Sequence, residues 1–250
     1  MNNKTSRRKL LTTGLAGAAG LAAAATLARR YGLVPPDNGG IYGPGETLTY
    51  AAQRILTARS NAREFPRSLI SKKPFANEVS PFNDAFRKLQ AGRFRDWTLS
   101  VDGMVARPAT LSLAELKAMP KRSQITEVVC EEGWSYIAEW IGTPLMDVLN
   151  AVGVLPRARY IVYFSMDREW WDSIDMADAL HPQTLLSWGM NDGELPVPFG
   201  GPLRLRVPKQ LGYKSVKYIT RLTATDSLKS FGKGLGSAAP EAGYSWYAGI

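Results

Sequence analysis

A chain of 250 residues with 45% hydrophobic content has enough material for a full core, in one large domain or two small ones. The formal charge of +9 would suit a nucleic acid or an anionic surface, but Lys4, Arg7, Arg8 and Lys9 supply four positives in a terminal segment without acids. The rest is modest and fits an anionic ligand equally well, and one cysteine with one histidine rules out an internal disulfide and speaks against a zinc site built from three or four side chains.

Residues 1–30 read as an export signal. Ser6-Arg7-Arg8-Lys9-Leu10-Leu11 precedes a run rich in Ala and Gly, and small residues around 22–28 offer a cleavage region. A paired arginine before a weakly apolar run is the address of the twin-arginine route, which carries folded proteins across the bacterial inner membrane, so the expected location is the periplasm. An uncleaved anchor over residues 10–27 is the rival, opposed by Gly14, Gly17 and Gly20. Residues 31–74 read as an irregular N-terminal segment, with turn-forming runs at residues 35–40 and 43–45 and a short helix over 51–63.

The main domain is expected over residues 75–226, undivided by any linker. A helix opens near residues 82–87 with Ser80 or Asn83 as its cap. Alternation over residues 97–105 ending in Asp102-Gly103 predicts a strand and turn, and Ser112-Leu113-Ala114-Glu115 is a capping box that opens a helix closed by Pro120. Residues 124–130 are β-rich, which places Cys130 at a strand end. Thr143-Pro144 predicts a helix start, Thr as N-cap and Pro in the first position, running to Gly153. Further strands are expected over 159–165, 203–207 and 216–225, with a turn at Asn191-Asp192-Gly193 and a basic loop at 209–217. Strands mixed with short helices, without a regular βαβ beat, imply an α+β fold with mixed or antiparallel sheets. Residues 227–250 form a Gly-rich tail whose aromatics pack back on the body.

Several chemistries lack their parts. A cysteine hydrolase needs a base near Cys130, and the one candidate is His181 before Pro182. No phosphate-cradling glycine motif follows a strand. The seven tryptophans lie mostly in apolar contexts such as Trp140-Ile141-Gly142, so core packing is their default role and no nucleic-acid partner is expected. The residues alone leave Cys130 as a passive buried thiol or as a soft ligand to a metal that a cofactor brings with it.

The motifs in their order decide more. Cys130-Glu131-Glu132-Gly133-Trp134-Ser135, Trp140-Ile141-Gly142-Thr143-Pro144-Leu145, His181-Pro182-Gln183-Thr184-Leu185, Leu195-Pro196, Gly201-Pro202-Leu203-Arg204 and residues 212–217 together resemble the sulfite oxidase family of molybdenum enzymes, most closely its bacterial periplasmic methionine-sulfoxide-reducing branch. The resemblance covers residues 75–226. It implies the sulfite oxidase type of molybdopterin-binding fold, a molybdenum-molybdopterin cofactor and oxygen-atom transfer on a small-molecule or protein S-oxide. It also implies an electron partner, either a membrane haem protein or a soluble cytochrome. The chain ends too soon after the cofactor loop for the added dimerisation domain of many sulfite oxidases, so a monomer is expected.

Carried over by position, the resemblance makes Cys130 the molybdenum ligand and the catalytic residue. It makes Asn83, Phe86, Arg87, Ser165, Phe199, Arg204, Ser215, Val216 and Lys217 cofactor contacts. Arg87, Phe86, Ser165 and Phe199 depart from the family's acidic residue, tyrosine, threonine and Asn or His at those positions. Independently of the name, Arg204 and the Lys214-Ser215-Val216-Lys217 run offer a guanidinium fork, a hydroxyl and two ammonium groups to a dianionic phosphate. Sulfite-oxidising members carry an arginine soon after the ligating cysteine, whereas no Arg or Lys lies between Cys130 and Arg157 here, so sulfite oxidation is the runner-up. A non-catalytic exported binding protein and a metal-free thiol enzyme are the remaining rivals.

Overall fold

The computed structural model describes residues 31–40, 43–77, 83–167 and 170–250, with Ala23 and residues 26–28 besides. The signal's arginine pair and Ser80 lie outside the described residues. The fold is α+β, as the sequence implies, and its described strands form two sheets. One runs β2 (Ala109–Ser112), β1 (Thr98–Gly103), β10 (Ile219–Thr225), β5 (Tyr160–Ser165) and β6 (Trp171–Asp175), antiparallel except for the parallel β1–β10 pair. The other runs β3 (Arg122–Val129), β4 (Ser135–Pro144), β7 (Leu185–Met190) and β8 (Gly193–Glu194), with β9 (Arg204–Arg206) also paired to β7.

The described helices are α1 (Gly43–Thr57) and α2 (Asp84–Ala91) before the strands, α3 (Leu113–Ala118), α4 (Leu145–Val152) and α5 (Met176–Ala179) between strands, and α6 (Ala238–Glu241) after them. The capping box forms as its spacing dictates: Ser112 Oγ accepts from the Glu115 N–H, and the Glu115 carboxylate accepts from the Ser112 N–H. The Asn191-Asp192 pair turns β7 into β8 with both residues at positive φ, the geometry of a type I′ hairpin. Among the described residues no helix is long and apolar enough to cross a membrane.

Two local expectations are corrected. Thr143 is not an N-cap, because β4 continues through Pro144 and the Thr143 hydroxyl donates to the Leu116 carbonyl at 2.7 Å, tying β4 to α3. The run at residues 43–45 is the first turn of α1 rather than a connector, with Pro44 in an early position that needs no N–H partner. Strand β6, helix α5 and the short α6 carried no sequence signal.

A large core cluster gathers Trp97, Leu99, Leu149, Ile161, Leu205 and Leu222. The far face of β5 is covered by α1 and the tail, where Tyr50, Val162, Leu228, Trp246 and Tyr247 pack together, so the tail's aromatics do return to the body. Arg54 fastens α1: its guanidinium forks onto Asp178 at 3.0 and 2.7 Å and reaches Asp175 at 2.7 Å.

Candidate active site

Strand β3 buries Gln124, Thr126 and Val128 on one face, and Cys130 continues that period of two into the β3–β4 loop. The loop closes on itself, the Cys130 N–H donating to the Trp134 carbonyl at 3.0 Å, with Gly133 at φ 89° making the turn. These bonds hold the thiol, 7% exposed, against a cavity of about 320 Å³. Val128, Trp134 and Tyr136 from the same hairpin line it.

The opposite wall comes from residues 199–217. Gly212 lies so close to the hairpin that a Cβ there would meet Val128 Cγ1 and the Val129 carbonyl at 3.3 Å. Gly200, at φ 104°, lets the chain pass Lys217, which a Cβ would meet at 2.9 Å. Ser215 Oγ accepts from the Val207 N–H at 3.0 Å, and its carbonyl accepts from Arg204 Nη2 at 2.6 Å. Arg204 Nη1 donates to the Phe199 carbonyl at 2.8 Å. Lys217 Nζ donates to the carbonyls of Pro198 and Asn77.

Of the expected residues, Cys130, Ser165, Phe199, Arg204, Ser215, Val216 and Lys217 converge on this one cavity. Asn83, Phe86 and Arg87 are not among its lining residues. Asn83 caps α2, its Oδ1 accepting from the Phe86 N–H at 2.8 Å; the Phe86 ring is buried in the core against Phe94 and Tyr218; Arg87 is exposed and pairs with Asp84 at 3.2 Å. Lys214 also departs from expectation. Its ammonium turns away into the core and pairs with Asp172, both side chains fully buried. His181 is structural: Nδ1 accepts from the Gln183 N–H, which leaves Nε2 to donate to the Ser60 carbonyl.

Sequence reasoning missed Arg206, which sits two residues after Arg204 on the same strand face and backs the wall without lining the cavity. Its guanidinium bonds to Ser215 Oγ and Thr126 Oγ1, both at 3.3 Å, and to the Glu127 carbonyl. Both guanidiniums approach the Trp140 ring, at 5.1 and 5.6 Å. It also missed Phe75 and Asn77, which lie before the domain's first recognisable element, and Tyr244 of the tail.

The electrostatics separate the two walls. Burial pushes the Cys130 thiol up to about 12, helped by the carboxylate of Glu131 at 3.3 Å and of Glu132 at 3.8 Å. Such a thiol is a poor nucleophile at neutral pH, and a bound metal is what would strip its proton. Burial lowers Arg204, and burial together with the neighbouring Arg204 lowers Arg206 to about 9. Among the described residues neither guanidinium is paired with a carboxylate, and the Nε of each is buried without a partner. Buried cations in that condition call for an anion. Among the described residues no three His, Cys, Asp or Glu side chains cluster, so a metal here would draw its other ligands from outside the chain. A molybdenum held in a pterin dithiolene, with a phosphate at the far end, fits this donor set.

A lone soft ligand facing an anion-seeking wall defines a cofactor-dependent redox site. The chain belongs to the oxidoreductase molybdopterin-binding domain family, whose model matches residues 88–230. It is 38% identical over 185 residues to the putative protein-methionine-sulfoxide reductase subunit YedZ1 of Azospira oryzae, covering 74% of this chain and 66% of that one. It is 30% identical over 246 residues to the protein-methionine-sulfoxide reductase catalytic subunit MsrP of Ralstonia nicotianae, covering 88% of this chain and 69% of that one. The chain thus spans about two thirds of the length of these relatives. Its fold is similar to that of the sulfane dehydrogenase SoxCD from Paracoccus pantotrophus, with a TM-score of 0.51 at 23% identity over 53% of this chain and 39% of that one.

Proposed function

We propose that the chain reduces an S-oxide or a similar small oxide, taking two electrons and two protons per turnover and releasing the oxygen as water. The observation that carries this reading is the surroundings of Cys130. Two carboxylates stand within 4 Å of its sulfur, and no cation follows before Arg157 to hold an anion such as sulfite. The names of the two relatives agree with it. Cys130 would bind the metal, while Arg204, Ser215 and Lys217 hold the pterin phosphate and the Val216 backbone lies between them. Bound there, the molybdenum pterin supplies two-electron oxygen-atom exchange. Ser165 offers its hydroxyl to the cofactor, and Phe199, stacked edge-on to Tyr136 at 5.7 Å, keeps water from that wall.

The main domain of residues 75–226 would work as a periplasmic monomer exported folded by the signal in residues 1–30, with a membrane haem protein or soluble cytochrome as electron donor. Purification from a cofactor-competent host tests the reading. About one molybdenum per chain is expected, with none in Cys130→Ala, and the loaded protein should turn over S-oxides in a screen with N-oxides and sulfite. Sulfite oxidation without oxide reduction would overturn the reading. Replacing Arg7 and Arg8 by Lys should strand the precursor in the cytoplasm; unchanged periplasmic yield contradicts the export route.

A further inference from the structure

The mouth of the cavity is acidic and aromatic although the chain as a whole is basic. Glu131 and Glu132 are exposed, and both line the cavity together with Asp167. Among the described residues the cations of the lining are already engaged: Arg204 is buried on the carbonyls of Phe199 and Ser215, and Lys217 is directed to those of Pro198 and Asn77. An anionic cofactor cancels their charge further, so the carboxylates set the sign of the potential that an arriving substrate meets. The aromatic residues act in the same direction. Phe75 packs on Trp134 at 5.0 Å, Trp134 stacks on Tyr136 with 10° between planes, and the Trp134 Nε1–H donates to Glu132 at 2.7 Å. Ring faces carry negative potential, and combined with carboxylates they attract ammonium and guanidinium groups and repel anions.

We propose that this mouth selects for positive charge next to the oxide, so that S-oxides flanked by ammonium or guanidinium groups, as in basic peptides, are preferred over those flanked by carboxylates. Glu131 is the main determinant, since its carboxylate is exposed and lies nearest the sulfur ligand. The inference rests on the S-oxide reading and deepens it. A consequence is that the mouth discriminates by charge through binding, not through the chemical step.

The test uses two blocked tripeptides with methionine sulfoxide at the centre, one flanked by lysines and one by glutamates, on the molybdenum-loaded protein. At low salt, kcat/KM for the lysine peptide should exceed that for the glutamate peptide by roughly tenfold, the difference lying in KM, and high salt should erase most of it. Glu131→Gln should shrink the ratio severalfold and Glu131→Lys should invert it. Peptide affinity read from tryptophan fluorescence, which needs no turnover, should show the same order. Oxides reduced without charge preference overturn the acidic mouth and leave the S-oxide reading standing. A charge preference in affinity with no oxide reduced upholds the mouth and overturns that reading. A ratio unmoved by Glu131→Lys also overturns the assignment.

Discussion

Arg54 and Lys214 are buried, as Arg204 and Arg206 are, yet the two groups are finished differently. Arg54 has Asp175 and Asp178, and Lys214 has Asp172, so each buried cation meets carboxylates at hydrogen-bond distance. Arg204 and Arg206 meet carbonyls, hydroxyls and the Trp140 ring. Depth alone does not distinguish a structural cation from a binding one. On the reading proposed above, the counter-charge of Arg204, which lines the cavity with Arg206 behind it, would come from a ligand instead of from the polypeptide.

The largest effect that tests this contrast is loss of cofactor. Arg204→Met should abolish pterin retention, measured as released pterin per chain, while leaving the cofactor-free protein as stable as before or more so, since an uncompensated buried charge has gone. Lys214→Met should do the reverse. It strands Asp172 without its partner and should lower stability by about 3–5 kcal/mol in denaturant titration, with pterin still bound by the fraction that folds. Equal stability losses in the two variants would erase the distinction.

A smaller effect comes from the acid pair that joins the N-terminal segment to the tail. Asp37 accepts from the Trp246 N–H at 2.6 Å, and burial, reinforced by Glu46, raises its carboxyl from 3.8 to about 7. Between those values the folded chain keeps a proton that the unfolded chain has released, so stability should fall as pH rises from about 4 to about 7 and level off above. Asp37→Asn, neutral at every pH, should flatten that part of the Tm profile. A profile as steep as the parent's would place the titration elsewhere.

Much of the scaffold was legible because its signals are local. Ser112 and Glu115 cap a helix by spacing alone, Asn191-Asp192 supplies the positive φ angles of a hairpin, and the alternation of β3 leads to Cys130. Thr143-Pro144 misled because a helix-start signal is also compatible with the last residues of a strand when the hydroxyl finds a tertiary acceptor, here the Leu116 carbonyl. Lys214 misled because its neighbours Ser215, Val216 and Lys217 do face the cavity, while the short helical turn at Gly212–Lys214 points it inward to Asp172. The resemblance set Phe86 and Arg87 beside a cofactor, whereas the helix they occupy gives the core one and solvent the other. Phe75, Asn77 and Tyr244 were invisible because only tertiary structure brings residues so distant in sequence to one mouth.

That distance has a consequence for timing. Among the described residues the cavity takes its walls from stretches as far apart as Phe75, Cys130, Ser165, Lys217 and Tyr244, so no continuous stretch of chain contains it. A nascent chain that has just exposed Cys130 has neither the arginine wall nor Tyr244 to set against it. Its full binding surface forms only after some 110 further residues have been made and have folded back. On the reading proposed above, the cofactor would enter the finished fold, and Cys130 would meet its metal only after synthesis.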